Sequence, residues 1–277
     1  MKNDNLFNIK NKVVVITGAA GLLGEKHAEI VAQYGGIPIL LDLSLYKVKK
    51  LSQKINQKYK AKSFAYKVDI TNEMQIIKNS SLIFKKFGKI DCLINNAANN
   101  PKIEENHNNK FTRLENMRFE QWKKDIDVGL TGSFLCSKHY GNLISLNING
   151  GSIINISSDL GLIAPDQRLY INKNIKEDIN QQVKPISYSV VKSGLIGLTR
   201  YLATYWPDKN VRCNAICPGG IENGQQTEFI NKISLRIPMG RLANVNDFKT
   251  TLIWMICDAS NYLNGAIVPV DGGRTTW

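Results

Sequence analysis

A tyrosine and a lysine in the stretch ISYSVVKSG, residues 186–194, have the residue types and spacing of a proton-transfer pair. Tyr188 precedes Lys192 by four positions in a predicted helix, so both side chains would lie on one helix face. The ammonium group would lower the pKa of the phenol from about 10, which would make a general acid or base near neutral pH. A surface pair without a function would show the same spacing.

Composition limits the class of protein. The chain has 277 residues, of which 43% are hydrophobic and 21% charged, as in an ordinary globular protein. No apolar run approaches the roughly 18 residues of a membrane span. The start, MKNDNLFNIKNK, does not resemble a signal peptide, so we expect a cytoplasmic protein.

The cysteines and histidines do not predict a metal site or disulfides. No two cysteines form a CxxC pair, and no two histidines form an HxxxH pair. We therefore expect no metal, and buried, reduced thiols at Cys92, Cys136, Cys213, Cys217 and Cys257.

The net charge is +13, from 36 basic and 23 acidic residues. Such a charge fits phosphorylated substrates, an acidic carrier protein or nucleic acid. The densest basic run, residues 46–62, has Val48, Leu51 and Ile55 at helical spacing. This pattern favours an amphipathic helix with solvated lysines, and we expect no nucleic acid partner and no membrane association.

Apolar strands alternate with helical patterns along the whole chain, which predicts one doubly wound, Rossmann-type α/β domain over residues 1–277. The predicted sheet is parallel, has about seven strands and carries helices on both faces. The expected strands lie at 13–18, 37–42, 62–69, 91–98, 151–158, 211–220 and 266–273, and the expected helices at 22–34, 44–58, 72–87, 119–146, 188–205 and 245–257.

Two polar stretches interrupt the alternation, at residues 99–117 and 159–187. Both follow predicted strand ends, where ligands bind in open α/β sheets. We expect 159–187 to be a substrate-loop insertion and residues 221–240 to form a lid over the substrate.

The first strand runs into the glycine-rich turn TGAAGLLG, residues 17–24, at the start of a predicted helix. In this position Gly18, Gly21 and Gly24 would let backbone N–H groups approach a pyrophosphate. Asp42 ends the second strand, where a carboxylate would bind the adenosine ribose and repel a 2′-phosphate. The sequence thus favours NAD over NADP, although Asp42 as a helix cap and the neighbouring Lys47 remain alternatives.

The motifs TGxxxxxG, NNAA, NISS, YxxxK and CPGG occur in this order and resemble the short-chain dehydrogenase/reductase family from Val13 to Gly273. The resemblance implies an NAD(P)-dependent alcohol dehydrogenase or ketoreductase that assembles as a homodimer or homotetramer. It assigns catalysis to Ser158, Tyr188 and Lys192. Tyr188 would exchange the proton of the substrate oxygen, Ser158 would bind that oxygen, and Lys192 would hold the nicotinamide ribose.

The same resemblance implies a set of cofactor-binding residues, for one of which, Asp69, a helix cap is the alternative. They are Gly18, Gly21, Leu22, Leu23, Gly24, Asp42, Asp69, Ile70, Asn95, Ala97, Tyr188, Lys192, Pro218, Gly219 and Ile221.

Three features depart from the usual pattern of the shorter branch of the family. The glycine turn has Leu22 where that branch has glycine. Gly129, in DVGLTG, stands where the family often has a catalytic asparagine. Tyr188 follows Ser158 by 30 residues, where about thirteen is usual, so Tyr170 competes as the catalytic tyrosine although no lysine lies four residues after it.

The stretches IAPDQRLY, YSVVKSG and DGGRTTW resemble the flagellin modification protein A group of bacterial surface-sugar enzymes. This implies a sugar, sugar phosphate or nucleotide sugar as substrate, in surface-glycan or nonulosonate biosynthesis. Arg113, Gln167 and Arg168 are candidates for binding it, with loop bracing as the alternative role. Other functions left open are a 3-oxoacyl-[acyl-carrier-protein] reductase, an epimerase or dehydratase with tightly held NAD, and a non-catalytic NAD-binding protein.

Overall fold

The computed structural model describes residues 7–99, 112–171 and 181–277. Most of the first irregular stretch and the middle of the second lie outside these ranges. Among the described residues, no helix combines the length and apolarity needed to cross a lipid bilayer.

The apolar runs form one seven-stranded sheet in which every neighbouring pair is parallel. The order is β3-β2-β1-β4-β5-β6-β7, so the chain changes direction between β1 and β4, where open α/β sheets bind ligands. The Rossmann-type prediction is confirmed. The strands are β1 (Val13–Thr17), β2 (Ile37–Asp42), β3 (Phe64–Lys67), β4 (Cys92–Asn95), β5 (Gly151–Ile156), β6 (Val211–Pro218) and β7 (Ile267–Val270).

Helices cover both faces of this sheet. They are α1 (Leu22–Gln33), α2 (Leu45–Tyr59), α3 (Glu73–Phe87), α4 (Phe119–Ile126), α5 (Gly132–Ile144), α6 (Ile186–Tyr205), α7 (Thr227–Ser234) and α8 (Lys249–Ile256). Side chains of α1, α2 and α8 pack on one face of the sheet, and those of α3, α5 and α6 on the other. Burial on both faces is the reason the strands are apolar throughout rather than alternating.

The helices differ from the sequence expectation in three segments. A π-helical turn, Asp127–Thr131, joins α4 to α5 inside the segment expected to be one helix. The last expected helix is shorter and comprises only α8, while α7 lies in a segment for which no helix was predicted. The basic run is confirmed as an amphipathic helix, because Val48, Leu51 and Ile55 are buried in α2.

A polar cluster crosses the interior between the two central strands. Asn95 on β4 donates to Asn155 on β5 (2.8 Å) and to Ser137 on α5 (3.0 Å). Asn155 donates in turn to Thr199 on α6 (2.8 Å). Each residue is almost fully buried, so these hydrogen bonds offset the cost of placing amides in the core.

Candidate active site

The carboxyl ends of the strands open into a cleft of about 1520 Å³. One end is formed by the turns after β1, β2 and β3, and the other by the turns after β5 and β6 together with α6 and α7. Almost all of the residues expected to bind a cofactor or to do chemistry line this cleft.

The glycine turn after β1 has a shape that side chains would prevent. Gly18 has a φ of +60°, and a Cβ on it would lie 2.8 Å from Cα of Ala97. A Cβ on Gly24 would lie 2.3 Å from the carbonyl oxygen of Gly18. Gly21 precedes α1 without a side-chain cap, so the first N–H groups of the helix have no capping side chain where Leu22 and Leu23 line the cleft.

Asn96, which the sequence argument did not select, fixes this turn. Its side chain donates to the carbonyl oxygens of Thr17 (2.9 Å) and Gly18 (3.1 Å). Asn95, by contrast, is buried in the amide cluster of the core and does not line the cleft, which corrects its expected place beside a cofactor. The second position of NNAA is therefore the one that contacts the glycine turn.

Asp42 lines the same end of the cleft at the end of β2. Its carboxylate accepts hydrogen bonds from the backbone N–H groups of Ala20 and Ser44, each at 3.1 Å. Ser44 is the cap of α2, so the alternative of Asp42 as that cap does not hold. Asp69 also lines the cleft, where it binds Thr71, and Asn72 is the cap of α3.

An open helix start, a glycine-rich turn and a carboxylate after β2 fit a dinucleotide. Leu22, Leu23, Ile70, Ala97, Pro218, Gly219 and Ile221 line the same cleft.

The catalytic candidates Ser158, Tyr188 and Lys192 meet at the other end of the cleft. Lys192 is buried, and its Nζ donates to the carbonyl oxygen of Ile156 (2.8 Å) at the end of β5. The same Nζ lies 5.6 Å from the centroid of the Tyr188 ring. Strand β5 and helix α6 thus position all three side chains.

The pKa of Tyr188 moves opposite to the expectation from its spacing to Lys192. Burial raises it to about 12, although the hydrogen bond with Ser158 acts in the opposite direction. Burial also lowers the pKa of Lys192 to about 8, and the charge of Lys184 adds to that effect. Removal from water is the main cause of both shifts, because both groups are held where their charged forms are poorly solvated.

A second lysine, absent from the sequence prediction, lies over the same ring. The Nζ of Lys184 is 3.8 Å from the centroid of Tyr188, which is a cation–π distance. Burial lowers the pKa of Lys184 to about 8, while the charge of Asp159 raises it. Lys184 also borders a small cavity of about 10 Å³ beside Gly129 and Lys192, about the space of one water molecule.

Asp159 and Arg274 are two further buried groups in the cleft. Ser158 donates to Oδ1 of Asp159 (2.7 Å), and Nε of Arg274 lies 3.4 Å from Oδ2. Burial raises the pKa of Asp159, whereas Ser158 and Arg274 lower it. Arg274 thus lies in the site of its own chain.

Tyr170 lines the cleft and packs against Phe229 of α7, with ring centroids 5.6 Å apart. Burial raises its pKa. It therefore lies in the same site as Tyr188.

The three substrate candidates do not line this cleft. Arg168 is exposed and pairs with Asp166 (2.8 Å). Gln167 exchanges hydrogen bonds with the backbone of Lys184, and Arg113 pairs with Glu115. These contacts fit the alternative role of bracing loops.

Comparison with known proteins identifies the class. Residues 18–275 match the family model described as Enoyl-(Acyl carrier protein) reductase. The chain is 30% identical to an NAD-dependent glycerol dehydrogenase of Listeria innocua, over 98% of this chain and 97% of the relative. It is 32% identical to an NADP-dependent mannitol dehydrogenase of Alternaria alternata, over 97% of this chain and 94% of the relative.

The fold is also that of a solved structure, NAD⁺-bound xylitol dehydrogenase, with a TM-score of 0.81 and 22% identity over 95% of this chain and 99% of the other. The chain belongs to the short-chain dehydrogenase/reductase family, and it is an oxidoreductase of that type. The resemblance to the flagellin modification protein A group stays a prediction.

Proposed function

We propose that this protein transfers a hydride between NAD and a secondary alcohol or ketone of a polyol or sugar-type substrate. The observation that carries the proposal is the meeting of Ser158, Tyr188 and Lys192 in a cleft whose other end has a glycine turn and Asp42. The nicotinamide supplies the hydride chemistry, and the protein supplies binding, orientation and the proton path.

Each side chain has a separate role in this proposal. Tyr188 exchanges the proton of the substrate oxygen, because its hydroxyl is in contact with Ser158 and its side chain lines the cleft. Ser158 binds the same oxygen. Lys192, held on the carbonyl oxygen of Ile156, orients the nicotinamide ribose and supplies positive charge beside the phenol.

Asp42 supports NAD as the cofactor. Its carboxylate lies at the ribose end of the cleft, where a 2′-phosphate would meet a like charge. The two curated relatives differ in their cofactors, so this choice depends on the residues of this chain.

The substrate class is supported by the curated relatives, whose names refer to glycerol and mannitol. A sugar, sugar phosphate or nucleotide sugar in surface-glycan or nonulosonate biosynthesis belongs to the same proposal.

Exposed aromatic side chains on α5 and α6, Phe134, Tyr201 and Tyr205, give a surface for assembly into the proposed dimer or tetramer.

The proposal is tested by following NADH formation with polyols, sugars and their phosphates. Tyr188→Phe should abolish turnover, while binding of NAD persists. Tyr170→Phe is the matched control, because Tyr170 lies in the same cleft. Full activity of Tyr188→Phe with loss in Tyr170→Phe would transfer the catalytic role to Tyr170.

Reduction of an acyl-carrier thioester is the second candidate function. The description of the matching family model and the net charge of +13 favour it, because carrier proteins are acidic. Turnover of acetoacetyl thioesters with NADPH, without turnover of polyols, would establish this second candidate.

A further inference from the structure

Arg274 is a buried cation whose hydrogen-bonding groups find no acceptor among the residues that the structure describes. Its side chain is 6% exposed and lines the cleft. Among the described residues, its guanidinium makes an ion pair with Asp159 but donates no hydrogen bond. A guanidinium has five N–H donors, and buried donors in folded proteins nearly always have acceptors.

Asp159 has an unused hydrogen-bond acceptor beside these donors. Its Oδ1 accepts from Ser158 (2.7 Å) and from the backbone N–H of Leu160 (2.8 Å). Its Oδ2 is buried and accepts no hydrogen bond from the described residues. An unused acceptor and several unused donors therefore lie together, beside the serine of the catalytic group.

The backbone holds both side chains in place. Asp271 accepts from the backbone N–H groups of Gly273 (3.0 Å) and Thr275 (2.9 Å), which forms the turn that carries Arg274. Gly273 has a φ of +87°, a conformation that glycine adopts without strain. Asp159 is fixed by its two bonds through Oδ1. The pair is a formed site, and not two mobile side chains that happen to meet.

The donors and the acceptor together select the chemistry of the ligand. A hydroxyl group can accept from Arg274 and donate to Oδ2 of Asp159 at the same time. A carboxylate or phosphate could only accept, and the charge of Asp159 would oppose it. The pair therefore suits a neutral hydroxyl better than an anion.

The position of this hydroxyl on the substrate follows from Ser158. In the proposed function Ser158 binds the reacting oxygen, and it also donates to the other oxygen of the Asp159 carboxylate. Because Oδ1 and Oδ2 belong to one carboxylate, a hydroxyl bound at Oδ2 would lie only a few ångströms from the reacting oxygen, a spacing that hydroxyls on adjacent carbons can span.

We propose that Asp159 and Arg274 form a subsite that binds a hydroxyl on the carbon next to the reacting carbon, so that the substrate is a vicinal diol or an α-hydroxy ketone. This inference rests on the proposed function and makes it more specific. The proposed subsite also distinguishes polyol substrates from acyl-carrier thioesters, which have no such hydroxyl.

The test compares two ketones of similar size, hydroxyacetone and 2-butanone, as substrates for reduction by NADH. The wild-type kcat/KM should be at least about 100-fold higher for hydroxyacetone, because 2-butanone leaves the buried pair without partners. Arg274→Met should remove most of this preference, because kcat/KM should fall further for hydroxyacetone than for 2-butanone. Arg274→Lys should restore part of it.

Arg241→Met is the matched control, because it removes an arginine from an exposed ion pair with Asp247. If Arg274→Met does not fold, Asp159→Asn/Arg274→Met removes both charges together and is expected to lose the same preference. Binding of NADH, measured by its fluorescence, should be unchanged in the variants.

Two results would overturn the inference while the proposed function stands. One is equal use of hydroxyacetone and 2-butanone by the wild type, and the other is an unchanged preference in a folded Arg274→Met variant. Absence of turnover on every ketone and alcohol, with NADH still bound, would overturn the proposed function and this inference with it.

Discussion

The side chain of Val191 occupies the space that a side chain at position 129 would need. A Cβ placed on Gly129 would lie 2.5 Å from Cγ1 of Val191, closer than packed carbon atoms approach. The glycine on the π-helical turn and the valine on α6 therefore form one packed contact. Val191 fills the space beside Gly129, so the packing of this site requires glycine where the family often has asparagine.

Gly129→Asn should consequently destabilise the protein rather than restore a missing group. We expect the free energy of unfolding to fall by about 1–3 kcal/mol, as overpacking of a core typically costs. Val191→Ala in the same chain should recover much of this loss, because it removes Cγ1. Urea denaturation of the two variants and of Val191→Ala alone would measure the effect. An unchanged midpoint in Gly129→Asn would contradict it.

Lys184 should influence the pH dependence of alcohol oxidation. A positive charge over the ring of Tyr188 favours the phenolate, so Lys184→Met should lower kcat/KM for alcohol oxidation about tenfold near pH 7. Because burial lowers the pKa of Lys184 to about 8, this charge is present below pH 8 and is lost above it. The two enzymes should therefore differ most near pH 7 and converge by about pH 9.

Profiles of kcat/KM against pH would check this prediction, with Lys184→Arg as the variant that keeps the charge. If Lys184→Met has the wild-type profile, the lysine does not act on the phenolate.

Asp42 should determine the choice of cofactor. Asp42→Asn retains the shape of the side chain but removes the charge that would repel a 2′-phosphate. The ratio of kcat/KM for NAD to that for NADP should fall roughly 10- to 100-fold, the equivalent of one hydrogen bond to a charged group. Asp69→Asn, at the same end of the cleft, should weaken both cofactors without changing the ratio. A constant ratio in Asp42→Asn would remove this residue from cofactor selection.

The ion pair between Asp166 and Arg236 should hold the substrate end of the cleft together. It joins the loop after β5 to the segment following α7 at 2.6 Å, and Arg168 and Arg236 keep the pKa of Asp166 well below its usual range. Arg236→Met should raise KM for substrate several-fold and leave KM for NAD unchanged. Steady-state kinetics would show this, and equal changes in both KM values would argue for a general loss of structure.

The elements and site residues that could be predicted from the sequence are those fixed by residues close together in the chain. Continuous apolar strands placed the sheet, and the four-residue spacing of Tyr188 and Lys192 placed both on α6 and in the cleft. The glycine turn was predictable because backbone conformation and close approach both require glycine there. In each case neighbouring residues in the sequence carry the physical constraint.

The missed residues depend on contacts between distant parts of the chain. Asp159 and Arg274 meet because β5 and β7 end on the same edge of the sheet, flanking β6, which no local pattern encodes. The direction of the Tyr188 pKa shift was missed for a related reason. Spacing identifies the nearby lysine, but only the folded chain shows how far both groups are withdrawn from water.

The buried amides of the core have a consequence for how the strands align. Asn95 and Asn155 are directly opposite each other on β4 and β5. A slip of one residue would separate them and break the hydrogen bond between the two amides in an apolar interior. A strand of valines and isoleucines alone can tolerate such a slip, because these side chains replace one another in the core. A strand that carries one of the paired amides does not tolerate it. The pair thus fixes the register of the two strands and, with it, the positions of Asn96 and Ser158, which line the cleft one and three residues beyond it.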